Sequence, residues 1–123
     1  MRMTRSGLRR TTAALVVAGL LAAAWPAAAQ ISAQFTRFLR IRAFQTVTTE
    51  VWLTAGRHSI IVRGDGDTDL DLYVFDSRGR LLDRDDDETD YCVTDFFVPR
   101  SGYVTLRLRN LGRVYNDYRL VVR

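Results

Sequence analysis

From residue 46 onward, apolar side chains recur at every second position. Val47, Thr49, Val51 and Leu53 alternate with Thr46, Thr48, Glu50 and Trp52. A period of two sends successive side chains to opposite faces of an extended strand. Leu70, Leu72 and Val74 alternate likewise with Asp69, Asp71, Tyr73 and Phe75, and Val104, Leu106 and Leu108 with Thr105, Arg107 and Arg109. His58–Arg63 and Tyr91–Val98 are short apolar runs, the second stopped by Pro99, which donates no ladder hydrogen bond. Tyr118, Leu120 and Val122 share one face of a closing strand, which assigns Tyr118 to the core. Glycine-containing turns separate these segments at Ala55-Gly56-Arg57, Gly64–Asp67, Ser77-Arg78-Gly79, Ser101-Gly102 and Leu111-Gly112-Arg113. Arg80–Leu82 reads as the return strand of a hairpin and Asp83–Asp90 as an acidic loop. Phe35–Phe44 fits a short helix or a strand, with a strand favoured at its end. No amphipathic helix accompanies these segments. About seven or eight short strands at this spacing predict an all-β fold, an antiparallel β-sandwich.

The chain opens differently. Arg2, Arg5, Arg9 and Arg10 precede the uncharged run Ala13–Trp25 and the small residues Ala27-Ala28-Ala29. That order predicts a secretory signal peptide over residues 1–29 and one mature domain over residues 30–123, periplasmic or extracellular. The apolar run is shorter than the roughly 20 residues of a bilayer span, so no stable membrane span is expected after cleavage. Arg9-Arg10 invites a twin-arginine reading, to which Thr11-Thr12-Ala13-Ala14 lends little support.

Removing the signal changes the charge. The chain has 18 Arg and no Lys against 14 Asp and Glu, and four of the Arg lie in the signal. The mature domain is therefore neutral, and the basic precursor is no argument for nucleic acid. Charge is segregated instead: Asp65–Asp95 holds 12 acids and 3 Arg, while the rest of the mature chain holds 2 acids and 11 Arg. One region suits a cation and the other an anionic surface. Cys92 is the only cysteine, which excludes an internal disulfide. It is left as a reactive thiol, a link between chains, or a small buried side chain, and its apolar strand favours the last.

Asp69 and Asp71 lie two apart on a strand and share a face, where like charges need a cation or an arginine. Calcium takes 6 to 8 oxygen ligands. The expected calcium site comprises Asp69 and Asp71 with Asp85, Asp87 and Asp90 from the acidic stretch. The alternative is a set of solvated turn-forming acids. Trp52, Tyr73, Tyr103 and Tyr115 are candidate ligand-binding aromatics, with Trp52 on the polar face of its strand; cross-strand packing is the other reading. His58 shares a face with Ile60 and Val62, which suits a structural histidine better than the general base a Ser or Cys nucleophile needs. Clustered acids on a small sandwich are poor candidates for glycoside hydrolysis. No phosphate-binding glycine loop or thiol zinc spacing is present. No enzyme activity is expected.

Leu53-Thr54-Ala55-Gly56, Gly64–Asp76 with its Asp69-Leu70-Asp71-Leu72-Tyr73-Val74 centre, Ser77-Arg78-Gly79, Asp85, Phe97-Val98-Pro99, Ser101-Gly102-Tyr103, Asn110 and Tyr115–Tyr118 with Leu120 together resemble the bacterial pre-peptidase C-terminal domain. The resemblance covers about the last three-fifths of the chain. It implies a jelly-roll-like sandwich of the kind found beside secreted hydrolases, some of which bind collagen with calcium. Residues 30–46 lack the acidic segment of that calcium-binding branch. The reading reached is a secreted, non-catalytic binding or accessory module for an extracellular protein or polysaccharide, stabilised by calcium. The alternative is a structural or chaperone-like partner of a secreted hydrolase encoded elsewhere.

Overall fold

A computed structural model describes residues 35–123; the predicted signal peptide lies outside them. Eight strands follow in order: β1 (Phe35–Ile41), β2 (Thr46–Leu53), β3 (Gly56–Arg63), β4 (Leu70–Phe75), β5 (Leu81–Asp85), β6 (Tyr91–Val98), β7 (Gly102–Asn110) and β8 (Asn116–Val122). They form two antiparallel four-stranded sheets, ordered β1-β8-β3-β6 and β2-β7-β4-β5. Every connection crosses between sheets except the β4–β5 hairpin. This is the jelly-roll order.

The alternation read from sequence becomes the inside and outside of the sandwich. Ile60, Val62, Cys92, Leu120 and Val122 from one sheet meet Val51, Leu53, Leu72, Val74 and Leu106 from the other, all at most 5% exposed. Burial of each large aliphatic stabilises the domain by about 1.5–3 kcal/mol. Tyr118 is buried among them. Phe35–Ile41 is a strand, not a helix.

The acidic stretch is shorter as a loop than its composition predicts. Asp is disfavoured in strands, yet Asp83 and Asp85 stand on β5. β5 and β6 are edge strands of opposite sheets. Asp85 Oδ2 accepts the Val93 N–H and Asp83 Oδ2 the Asp95 N–H, each at 2.8 Å. These carboxylates occupy edge amides of β6 that would otherwise be open to another strand.

One pole of the sandwich is held by buried asparagines. Asn110 and Asn116 are both fully buried. Asn110 Nδ2 donates to the carbonyls of Arg42 (3.1 Å) and Val114 (2.9 Å), and its Oδ1 accepts the Gly112 N–H (2.9 Å). Asn116 Nδ2 donates to Thr68 Oγ1 (3.1 Å) and Asp90 Oδ2 (3.0 Å). Gly64 is required here, because a methyl group on it would collide with the Asp90 carboxyl and the Asn116 amide. In the β4–β5 turn, Gly79 takes φ 78°, a left-handed conformation that glycine adopts without strain. Asp76 Oδ1 accepts the N–H groups of Arg78 and Arg80 there, each at 2.9 Å.

Candidate functional site

Antiparallel register places opposed residues on the same face. On the outside of the β2-β7-β4-β5 sheet, Trp52 stands opposite Tyr103. Along β7, Thr105 faces Glu50 and Phe75, Arg107 faces Thr48 and Tyr73, and Arg109 faces Thr46 and Asp71. From Tyr103 to Arg109 this strip is about 20 Å long. Trp52 and Tyr103 meet edge to face at 5.0 Å and 79°, and are 55% and 54% exposed. Arg107 lies over the Phe75 ring at 4.8 Å. Three of the four aromatics expected to bind ligand, Trp52, Tyr73 and Tyr103, therefore share one face. Tyr115 does not join them: it sits before β8, with the Arg40 guanidinium 3.9 Å above its ring.

At the far end of the same strip the acids gather. Asp71 is 6% exposed, and neither its Oδ1 nor the Oδ1 of Asp69 has a hydrogen-bond partner. Burial, then the charges of Asp71 and Asp87, raise the Asp69 pKa above the ordinary carboxylate value. Burial and the Asp86 charge raise that of Asp71, which Arg109 only partly offsets. Burial next to Asp71 and Asp86 also raises the Tyr73 hydroxyl. The other acids of the expected calcium set have hydrogen bonds of their own. Asp85 holds the β6 edge, Asp90 Oδ2 accepts the Gly66 N–H (2.6 Å), and Asp87 Oδ1 accepts the N–H (2.9 Å) and hydroxyl (2.7 Å) of Thr89. Among the described residues, no three of His, Cys, Asp and Glu converge to metal-binding distances. The site thus has two buried, unpaired carboxylate oxygens, those of Asp69 and Asp71.

His58 and Cys92 do not pair. His58 is buried, with Nε2 2.7 Å from the Thr54 carbonyl oxygen and Nδ1 3.1 Å from that of Arg123. Cys92 is fully buried, and its Sγ donates to the Leu70 carbonyl at 3.1 Å. Burial pushes its thiol up to about 12. A thiol reagent such as Ellman's is expected to leave Cys92 unmodified in the folded protein and to react at once in guanidinium. Rapid labelling of the native protein would contradict that burial.

On the opposite sheet, Arg40 and Asp117 could not be read as a pair from the sequence, because they lie 77 positions apart and only the β1–β8 register joins them. Arg40 binds Asp117 through Nε (2.6 Å) and a second guanidinium nitrogen (2.8 Å). That pair raises the Arg40 pKa and lowers the Asp117 pKa.

No family model and no curated protein matches the chain. Among solved structures, it is similar to Aeromonas hydrophila PliG, a periplasmic lysozyme inhibitor of g-type lysozyme, with TM-score 0.53 and 15% identity over 72% of this chain and 82% of that one. It is also similar to the Yersinia pseudotuberculosis-derived mitogen YPM, with TM-score 0.58 and 13% identity over 72% of this chain and 82% of the other. At these identities the likeness shows a shared β-sandwich fold and nothing of function.

Proposed function

We propose that this chain is an exported, non-catalytic binding module, periplasmic or extracellular, whose ligand docks on the outer face of the β2-β7-β4-β5 sheet. The ligand is a protein or a polysaccharide. The observation that carries this reading is the exposed Trp52–Tyr103 pair, which continues into Tyr73, Phe75 and Arg107 on one face. Aromatic and arginine side chains of this kind supply most of the binding energy where proteins recognise ligands. PliG supports a protein ligand, since a lysozyme inhibitor of similar fold works by binding rather than catalysis. The signal-peptide pattern supports export. The motif resemblance to pre-peptidase C-terminal domains supports an accessory role beside a secreted hydrolase.

We further propose that Asp69 and Asp71 anchor a calcium ion, joined by neighbouring acids of the Asp86–Asp90 loop. Two orphaned, buried carboxylate oxygens are the support for it. The ion would neutralise charges that have no other full partner.

The docking reading is tested by sedimentation of the exported protein with insoluble cell-wall polysaccharide, and by affinity capture on immobilised secreted hydrolases including lysozymes. Trp52→Ala with Tyr103→Ala is expected to weaken whichever ligand is retained by about 30-fold, at an unchanged melting temperature. Retention unaffected by the double substitution would remove this face from the reading.

A further inference from the structure

The outer face of the β1-β8-β3-β6 sheet carries four side chains in one transverse row. Phe38 on β1 stands opposite Arg119 on β8, Arg119 opposite Arg63 on β3, and Arg63 opposite Tyr91 on β6. With strands about 4.8 Å apart, the row is about 14 Å long. Both ends are open, with Phe38 80% and Tyr91 49% exposed. Arg63 lies 5.7 Å from the Tyr91 ring centre.

The two central arginines form an unfavourable pair. Like charges directly opposite one another on neighbouring strands repel. Among the described residues, neither has a carboxylate within ion-pair distance. The next row differs, since there Arg40 faces Asp117 and is neutralised by it. A groove of about 680 Å³ runs beside the row, with Phe38, Arg63 and Arg119 in its wall together with the Arg40–Asp117 pair and Asp65, whose oxygens accept the Asp67 and Asp117 N–H groups.

We propose that this row binds an acidic polysaccharide. Uronate or sulfate groups bridge Arg63 and Arg119, and sugar rings lie against Phe38 and Tyr91. Guanidinium groups match oxyanions in charge and in hydrogen-bond geometry. The row's position decides between polymers. β8 and β3 are interior strands whose main-chain groups are paired on both sides. Over Arg63 and Arg119 an extended peptide therefore finds no free edge to add to, which is how sheets commonly read peptides, the edges of this sheet being β1 and β6 at the two ends of the row. The ligand must be held by side chains alone, through charged groups and ring faces. The proposal is independent of the Trp52–Tyr103 face, which lies on the other sheet, so the two readings fail separately.

Calorimetric titration of the exported protein with oligogalacturonate, a uronate glycan, tests it. Arg63→Gln with Arg119→Gln is expected to lower affinity at least tenfold, and Phe38→Ser about fivefold. Arg57→Gln with Arg100→Gln, which removes the same charge elsewhere on the surface, is expected to change it less than twofold. The Arg63/Arg119 double variant should also melt about 2 °C higher, because a repulsion is gone. An equal loss in the Arg57/Arg100 variant would overturn the proposal in favour of diffuse attraction. So would equally tight binding of polyglutamate or oligo-dT at matched charge, or no binding of oligogalacturonate by the wild type.

Discussion

Replacing Asn110 by alanine is expected to lower the unfolding free energy by about 3 kcal/mol and the melting temperature by about 15 °C. The side chain is fully buried and makes three hydrogen bonds. Its truncation strands the carbonyls of Arg42 and Val114 and the N–H of Gly112. A buried polar group left without a partner costs about 1–3 kcal/mol, and water entering from the turn offsets part of the total. The effect is structural as well as energetic. Arg42 belongs to the β1–β2 turn, and Gly112 and Val114 to the β7–β8 turn, so this one amide ties together connections from both sheets. A domain of this size has only about 5–14 kcal/mol of stability in all. Urea titration is the appropriate measurement, because an unchanged slope with a lower midpoint separates lost stability from a looser fold. A loss below 1 kcal/mol would mean that water substitutes fully for the amide and that the pole is not a keystone.

Legibility in the sequence follows from the range of the physics involved. Alternation is local, and by itself it places Trp52 outside, Tyr118 inside and His58 beside Ile60. Strand pairing is not local. Trp52 and Tyr103 are 51 positions apart, and only the β2–β7 register brings their rings to 5.0 Å. The Phe38–Arg119–Arg63–Tyr91 row needs the order β1-β8-β3-β6, which no periodicity encodes. Tyr115 has the composition of a ligand-binding aromatic, but pairing carried it to Arg40 instead. Asp83 and Asp85 were hidden by propensity, since acids in a row read as loop unless an exposed edge needs acceptors. Asp69 and Asp71 were legible as a same-face pair, whereas the orphaning of their oxygens depends on burial that only the packed sheet creates.

Without calcium, the protein is expected to lose stability as pH rises above about 4, and calcium is expected to restore it. Asp69 and Asp71 hold their protons to higher pH in the folded chain than in the unfolded one, chiefly because burial disfavours the carboxylate. Over that interval the folded state binds more protons, so stability is full below the unfolded value near 3.9 and falls as pH climbs through the folded values. Asp76 and Asp117 act in the opposite sense. Hydrogen bonds from the Arg80 backbone and from the Arg40 side chain, respectively, are the largest influence on each, and they lower both pKa values. Their contribution is therefore lost only as pH falls below the ordinary carboxylate range, and the two trends occupy separate windows. In EDTA, melting temperature should decline as pH rises above about 4. Millimolar calcium should flatten that decline. At 100-fold excess over Kd it adds about 2.7 kcal/mol, a rise on the order of 10 °C. Asp71→Asn should melt higher than wild type in EDTA at pH 7, since a neutral amide replaces a carboxylate that burial disfavours, and it should respond weakly to calcium. A decline in EDTA that calcium leaves untouched would remove the ion and leave Asp69 and Asp71 as a buried, mutually repelling pair, with Arg109 opposite Asp71 alone. A flat curve in EDTA would overturn the burial argument on which both readings stand.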